Sequence, residues 1–222
     1  MAVAGVCAAA MFVSVTAPIE TAQAAAAPLK CTSTKGKFVP TQAVFSHLGK
    51  VKVVTVGLTP DGAMGTPPLT KKGKKQLAWY KGAAKPGSGK GGVATDAHTW
   101  PDGSALGNRL MNKLVEGDTI ILRSKGNKHR TCYRVTKREQ FANSAVPMKR
   151  IVKGKGKGAK QILSVVVCSG YRMGPGNWSH RTVWTAKAIP PPKPKPKPTP
   201  KPIPKPPTTW LGGLLGGLLG SH

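Results

Sequence analysis

The sequence predicts an all-β domain, a barrel or sandwich, and three features carry that expectation. Short β-branched and aromatic runs recur between residues 50 and 188. Turn formers separate them, and a single stretch has helical spacing. A parallel α/β fold would instead alternate its strands with long amphipathic helices.

Taken in order, residues 50–58 contain Val51-Lys52-Val53-Val54-Thr55-Val56, a strand bounded by turn formers. Thr59-Pro60-Asp61-Gly62 is a turn, with proline presetting φ and glycine accepting a positive one. Residues 77–80, Leu-Ala-Trp-Tyr, form a short strand, 85–92 a glycine-rich loop, and 92–97 a short apolar strand. Leu106, Leu110, Met111 and Leu114 recur at helical spacing, which predicts a helix over 104–114. Glu116-Gly117-Asp118 turns into a strand at 119–123, and a basic turn at 125–128 leads to an alternating strand at 131–137. Residues 149–160, rich in Gly and Lys, read as an exposed loop. The apolar, β-branched residues 162–168 read as a buried strand ending at Cys168, with the thiol turned out into a loop. Residues 181–188 supply the last strand.

The chain has 222 residues, room for one domain and its tails. Residues 1–24 read as a signal peptide or N-terminal anchor: an apolar run followed by Ala22-Gln23-Ala24, an A-x-A cleavage pattern. Residues 25–44 read as an N-terminal linker, 45–189 as the folded domain, 190–209 as a disordered Pro/Lys linker, and 210–222 as a Leu/Gly-rich tail. Lys and Arg number 35 against 7 Asp and Glu, a net charge of +28. That excess describes partners and association rates rather than fold. Nucleic acid, anionic lipid headgroups and anionic wall polymers all suit it, as does a solvated basic surface with no specific partner.

Removal of the first 24 residues would leave Cys31, Cys132 and Cys168. An odd number leaves at least one thiol free unless chains cross-link. A Cys31–Cys132 bridge would leave Cys168; three reduced thiols are the alternative. A cysteine nucleophile needs a proton partner and a donor for the oxyanion formed at an amide carbonyl. His98 and either Arg181 or Arg172 supply those chemistries. A lone cysteine on an apolar strand is otherwise a packed core thiol.

Several stretches, in order, resemble the sortases, closest to the actinobacterial class E and class F enzymes. They are Thr55 through Gly62 with Pro67; Ala78-Trp79-Tyr80 with Pro86-Gly87; Thr95-Asp96-Ala97-His98-Thr99; Ala105-Leu106-Gly107-Asn108 with Gly117-Asp118; Leu163 through Cys168; and Arg181 through Ala186. Ala97 stands where the family has glycine, and Ser164 and Val167 where it has threonines. The resemblance implies a closed β-barrel of about eight strands with one or two short helices. It implies Cys168 as nucleophile, His98 as proton donor and acceptor, and Arg181 as stabiliser of the oxyanion or substrate; Arg181 is preferred to Arg172 because it opens the last strand. The implied reaction cleaves a Thr–Gly bond in a Leu-Pro-x-Thr-Gly-like signal and passes the acyl group to an amine, with no metal or other cofactor. Implied partners are surface proteins bearing a C-terminal sorting signal and a peptidoglycan-precursor amine, with anionic wall polymers or a membrane surface beside them and no specific nucleic acid. The implied location is the extracellular face of a Gram-positive membrane or wall. The competing expectation is a basic wall- or polyanion-binding protein on a catalytically impaired sortase fold.

Overall fold

The computed structural model describes residues 29–156 and 158–192. Eight strands close into a barrel in the order β1-β2-β3-β4-β7-β8-β6-β5. They are β1 (Gln42–Phe45), β2 (Gly49–Val56), β3 (Leu77–Tyr80), β4 (Gly92–Ala97), β5 (Thr119–Arg123), β6 (Arg130–Ala142), β7 (Ile162–Gly174) and β8 (Asn177–Ile189). Two short helices accompany them, α1 (Leu106–Lys113) and α2 (Met148–Lys153). β2 pairs with β3, and β4 with β7, in parallel; the other pairs are antiparallel. The second parallel pair needs a long crossover, and residues 98–161 supply it, carrying α1, β5, β6 and α2.

Side chains alternate across each strand. Leu163, Val165 and Val167 of β7 point into the barrel with Trp79, Trp184 and Phe45. Leu106 and Leu110 of α1 join the same core, which is why only one face of that helix is apolar. Val166 points the other way and packs with Ala94, Val183 and Ile151 of α2. β7 is thus covered on both faces, and this explains why Ile162 to Val167 are apolar at every position but Ser164. Each fully buried side chain of this size is worth roughly 1.5–3 kcal/mol.

Several expectations need correction. The strand holding Cys168 does not end there: β7 continues to Gly174 and returns as β8 from Asn177, so Cys168 sits within a long hairpin. The continuation holds two glycines, Arg172 and the exposed Tyr171 and Met173, so no buried apolar run marked it. β6 likewise runs on to Ala142, paired with β8. β1 crosses the expected 44/45 boundary, and Phe38 and Ala43 are buried in the core, so the end of the expected linker belongs to the barrel. The first part of the expected Gly-Lys loop is α2, held down by buried Ile151.

Cys31 and Cys132 form a disulfide across a sequence separation of 101 residues. No helix among the described residues is long and apolar enough to cross a membrane. The expected export segment lies outside the described residues, as do the Leu/Gly tail and the Pro/Lys stretch beyond Pro192.

Candidate active site

Strand register decides which side chains meet. In the parallel β4/β7 pair, Ala97 lies opposite Val167. The next residues, His98 and Cys168, therefore stand at the same level. Cys168 is in turn opposite Arg181 across the β7/β8 ladder. Three neighbouring paths of chain thus bring His98, Cys168 and Arg181 side by side. Val165 and Val167 point inward, so Cys168 lies on the outer face. There the three residues line one cavity of about 1140 Å³. Leu58 and Leu69 from the β2–β3 connection, Met148 and Val152 of α2, and Trp178 of β8 supply apolar walls.

Cys168 is half-buried and is a free thiol. Burial pushes its pKa up; the Arg181 guanidinium pulls it down, and the Asp96 carboxylate pushes it up further. The resting group at neutral pH is therefore the thiol, and forming the thiolate requires a proton acceptor.

One ring nitrogen fixes the tautomer of the neighbouring His98. Nε2 lies 2.5 Å from the Pro67 carbonyl oxygen. A carbonyl only accepts, so Nε2 carries the proton and a neutral ring keeps its lone pair on Nδ1. The backbone around His98 is pinned from two sides. The Thr99 hydroxyl donates to the Cys168 carbonyl at 2.6 Å, tying this segment to β7. From α1, Gly107 N–H donates to the His98 carbonyl at 2.8 Å. Asn108 clamps the Trp100 backbone, accepting its N–H at 2.9 Å and donating to its carbonyl at 3.1 Å. The approach at Gly107 leaves no room for a side chain, because a Cβ there would lie 2.5 Å from the His98 oxygen and 2.7 Å from Thr99 Oγ1.

Arg181 Nη1 donates to the carbonyls of Trp178 (3.0 Å) and His180 (2.9 Å). Those bonds fix the guanidinium plane while using one nitrogen of a five-donor fork. Arg172 also lines the cavity, but it lies on the exposed hairpin, where its Nε donates to the Gly174 carbonyl at 3.2 Å.

The sequence reading gave no role to Asp96. It lines the same cavity and is 8% exposed, and its Oδ1 has no hydrogen-bond partner. Burial raises its pKa from the ordinary carboxylate value to about 7, against a lowering pull from Arg181. Strand alternation could have found it: Asp96 and His98 are two residues apart, on one face, at the end of β4, where Asp96 is the only charged residue. The Pro67 carbonyl and Thr99 hydroxyl carry no such signal, because their partners lie far away in the chain.

No protein-family model and no curated protein matches the chain. Solved structures do resemble it. Sortase C1 of Streptococcus agalactiae, in complex with MTSET, superposes with a TM-score of 0.49 at 14% identity, covering 68% of this chain and 69% of that one. Streptococcus pneumoniae sortase C gives 0.48 at 15% identity, covering 68% of each chain. Sortase A from Corynebacterium diphtheriae gives 0.49 at 14% identity, covering 69% of this chain and 62% of that one.

Proposed function

We propose that the chain is a sortase-type cysteine transpeptidase. It cleaves the Thr–Gly bond of a Leu-Pro-x-Thr-Gly-like sorting signal and transfers the acyl group to an amine of a cell-wall precursor, on the outer face of a Gram-positive membrane or wall. One observation carries the reading: His98, Cys168 and Arg181 stand side by side at the end of the β4/β7 pair, in one cavity. The ordered sequence motifs support it independently.

The steps follow from the site's chemistry. His98 Nδ1 takes the thiol proton, because Cys168 rests protonated. The thiolate attacks the scissile carbonyl, and the Arg181 guanidinium donates hydrogen bonds to the oxyanion. His98, now an imidazolium, gives its proton to the leaving amine as the C–N bond breaks and the thioester remains. The acceptor amine, deprotonated by His98, attacks the thioester; the amide forms and the thiol is restored. The apolar walls around the cavity suit an extended peptide.

Incubation of the exported chain with a Leu-Pro-x-Thr-Gly peptide and an amine, followed by mass spectrometry, tests the proposal. Cleaved and amine-transferred products are expected, together with a thioester adduct on the peptide containing Cys168. Cys168→Ala should abolish all three. Cleavage by that variant above a tenth of the wild-type rate would remove Cys168 from the role.

A further inference from the structure

A buried carboxyl group with no partner is costly unless something else satisfies it. Asp96 is such a group, and it faces a cavity rather than packed core. Arg181 does not neutralise it directly. The guanidinium is spent in part on the carbonyls of Trp178 and His180, and Asp96 belongs to none of the ion pairs among the described residues. Its place in the sheet is informative. Asp96 is opposite Val166 in the β4/β7 pair, two residues before the Cys168 level and on the same outer face. A ligand group held by Asp96 would therefore sit a short step from any acyl group carried on Cys168 Sγ.

The partner that best fits is a cation with several N–H donors. An ammonium group satisfies an orphaned carboxylate by both charge and hydrogen bonding. The protein as a whole repels such a group, with a net charge of +28. A local acid is then the means of drawing a cation in. We propose that Asp96 is the subsite for the primary ammonium of the acceptor amine, holding it beside the thioester. The identification of that amine as the acceptor rests on the transpeptidase reading; the ammonium site itself rests on the geometry.

The other titratable groups that face this position are His98 beyond β4, Cys168 on β7, Arg181 on β8 and Tyr80 on β3. Arg172 and Asp61 line the same cavity, and α2 contributes only the uncharged Met148 and Val152. Arg181 opposes a cation and also favours the ionised form of Asp96. Ionisation of Asp96 above about pH 7 is the event that turns the subsite on.

The test needs no sorting signal. The full chain is alkylated with iodoacetamide, and modification of the Cys168 peptide is followed by mass spectrometry, with propylamine or N-propylacetamide as protectant. Rates are normalised to the unprotected protein at each pH. At pH 8 propylamine should protect Cys168 saturably and the uncharged amide at least tenfold more weakly. Lowering the pH to 6 should weaken protection by about tenfold as Asp96 takes up a proton. Asp96→Asn, nearly isosteric, should lose both the protection and its pH dependence while keeping the wild-type circular dichroism. Equal protection by amine and amide, undiminished protection in Asp96→Asn, or none at pH 8 would each overturn the subsite. The wild-type pH series decides the matter even if the variant folds poorly. Charge-selective protection in a chain that does not cleave the peptide would leave the subsite standing and refute the transpeptidase; the converse would refute the subsite alone.

Discussion

Replacing Gly107 by alanine should damage catalysis without touching any reacting group. A Cβ at this position meets the His98 carbonyl oxygen at 2.5 Å, the His98 carbonyl carbon at 3.0 Å and Thr99 Oγ1 at 2.7 Å. Ordinary contacts need about 3.4 Å, and two of these atoms belong to backbone, so α1 and the His98 segment must separate by roughly 1 Å. Overpacking of this kind costs about 1–3 kcal/mol. On a domain of this size that lowers Tm by roughly 2–4 °C per kcal/mol. The larger effect is on chemistry, since a displacement of about 1 Å at a reacting group costs on the order of a hundredfold in rate. The 2.8 Å bond from Gly107 to His98 and the Thr99–Cys168 bond are strained together, so both the histidine and the thiol are disturbed. Gly117→Ala is the matched control. Gly117 has a φ of +90°, and a Cβ added there would meet nothing within 4 Å. Alanine there costs about 1–2 kcal/mol of backbone strain and should leave turnover intact. Thermal melts and steady-state peptide cleavage on both variants provide the comparison. Gly107→Ala with wild-type kcat/KM, or equal losses in the two variants, would refute the view that α1 positions His98.

Arg181→Lys should lower cleavage by about a hundredfold or more, because an ammonium cannot reproduce the planar fork; Arg172→Lys should stay near wild type, and the reverse ranking in kcat would exchange the two arginines. Opening the Cys31–Cys132 bridge, by Cys31→Ala with Cys132→Ala, should destabilise the fold by roughly 3–5 kcal/mol, given a loop of 101 residues, and urea titration showing no loss would refute this. Asp96 stays protonated in the fold up to about pH 7 but ionises near 3.8 in the unfolded chain. The folded state thus binds the extra proton within that window, and wild-type stability falls as pH rises through it. Asp96→Asn should match the wild type near pH 3 and exceed it at pH 8 by up to about 4 kcal/mol; a pH-independent difference in urea titrations would refute the assignment.

The elements legible in sequence were those whose residues are buried on a regular period. Trp79 on β3 and the apolar β7 announced themselves because their side chains enter the core, and the helical spacing at Leu106 and Leu110 marked the buried stripe of α1. The continuations of β6 and β7 did not, because beyond Lys137 and Cys168 their few large apolar side chains, Phe141, Tyr171 and Met173, are interrupted by charged residues and glycines, and Tyr171 and Met173 are exposed. β1 is four residues long and too short to show alternation. α2 did carry a signal: Pro147 precedes it and Gly154, at φ +79°, follows it, the proline-first, glycine-last asymmetry of helices. The Lys and Gly content around it masked that. The three proposed catalytic residues were readable from motif order; alternation along β4 puts Asp96 on the His98 face, but its burial and lack of a partner show only in the fold.

The bridge between Cys31 and Cys132 also has a mechanical side. Cys132 is paired with Ile189, the last residue of β8, and the Ser33 hydroxyl donates to the Ile189 carbonyl. The described chain therefore enters and leaves the barrel at one point. That point is eight residues along β8 from Arg181, roughly 26 Å at about 3.3 Å per residue. Tension applied between the two ends passes through one covalent link and a single pair of strand termini, and bypasses most of the barrel. Such a load would peel β8 from its open end, bond by bond, and reach the reactive cleft last. A domain tethered and tugged from its ends would keep its working face intact under forces that already fray its point of attachment.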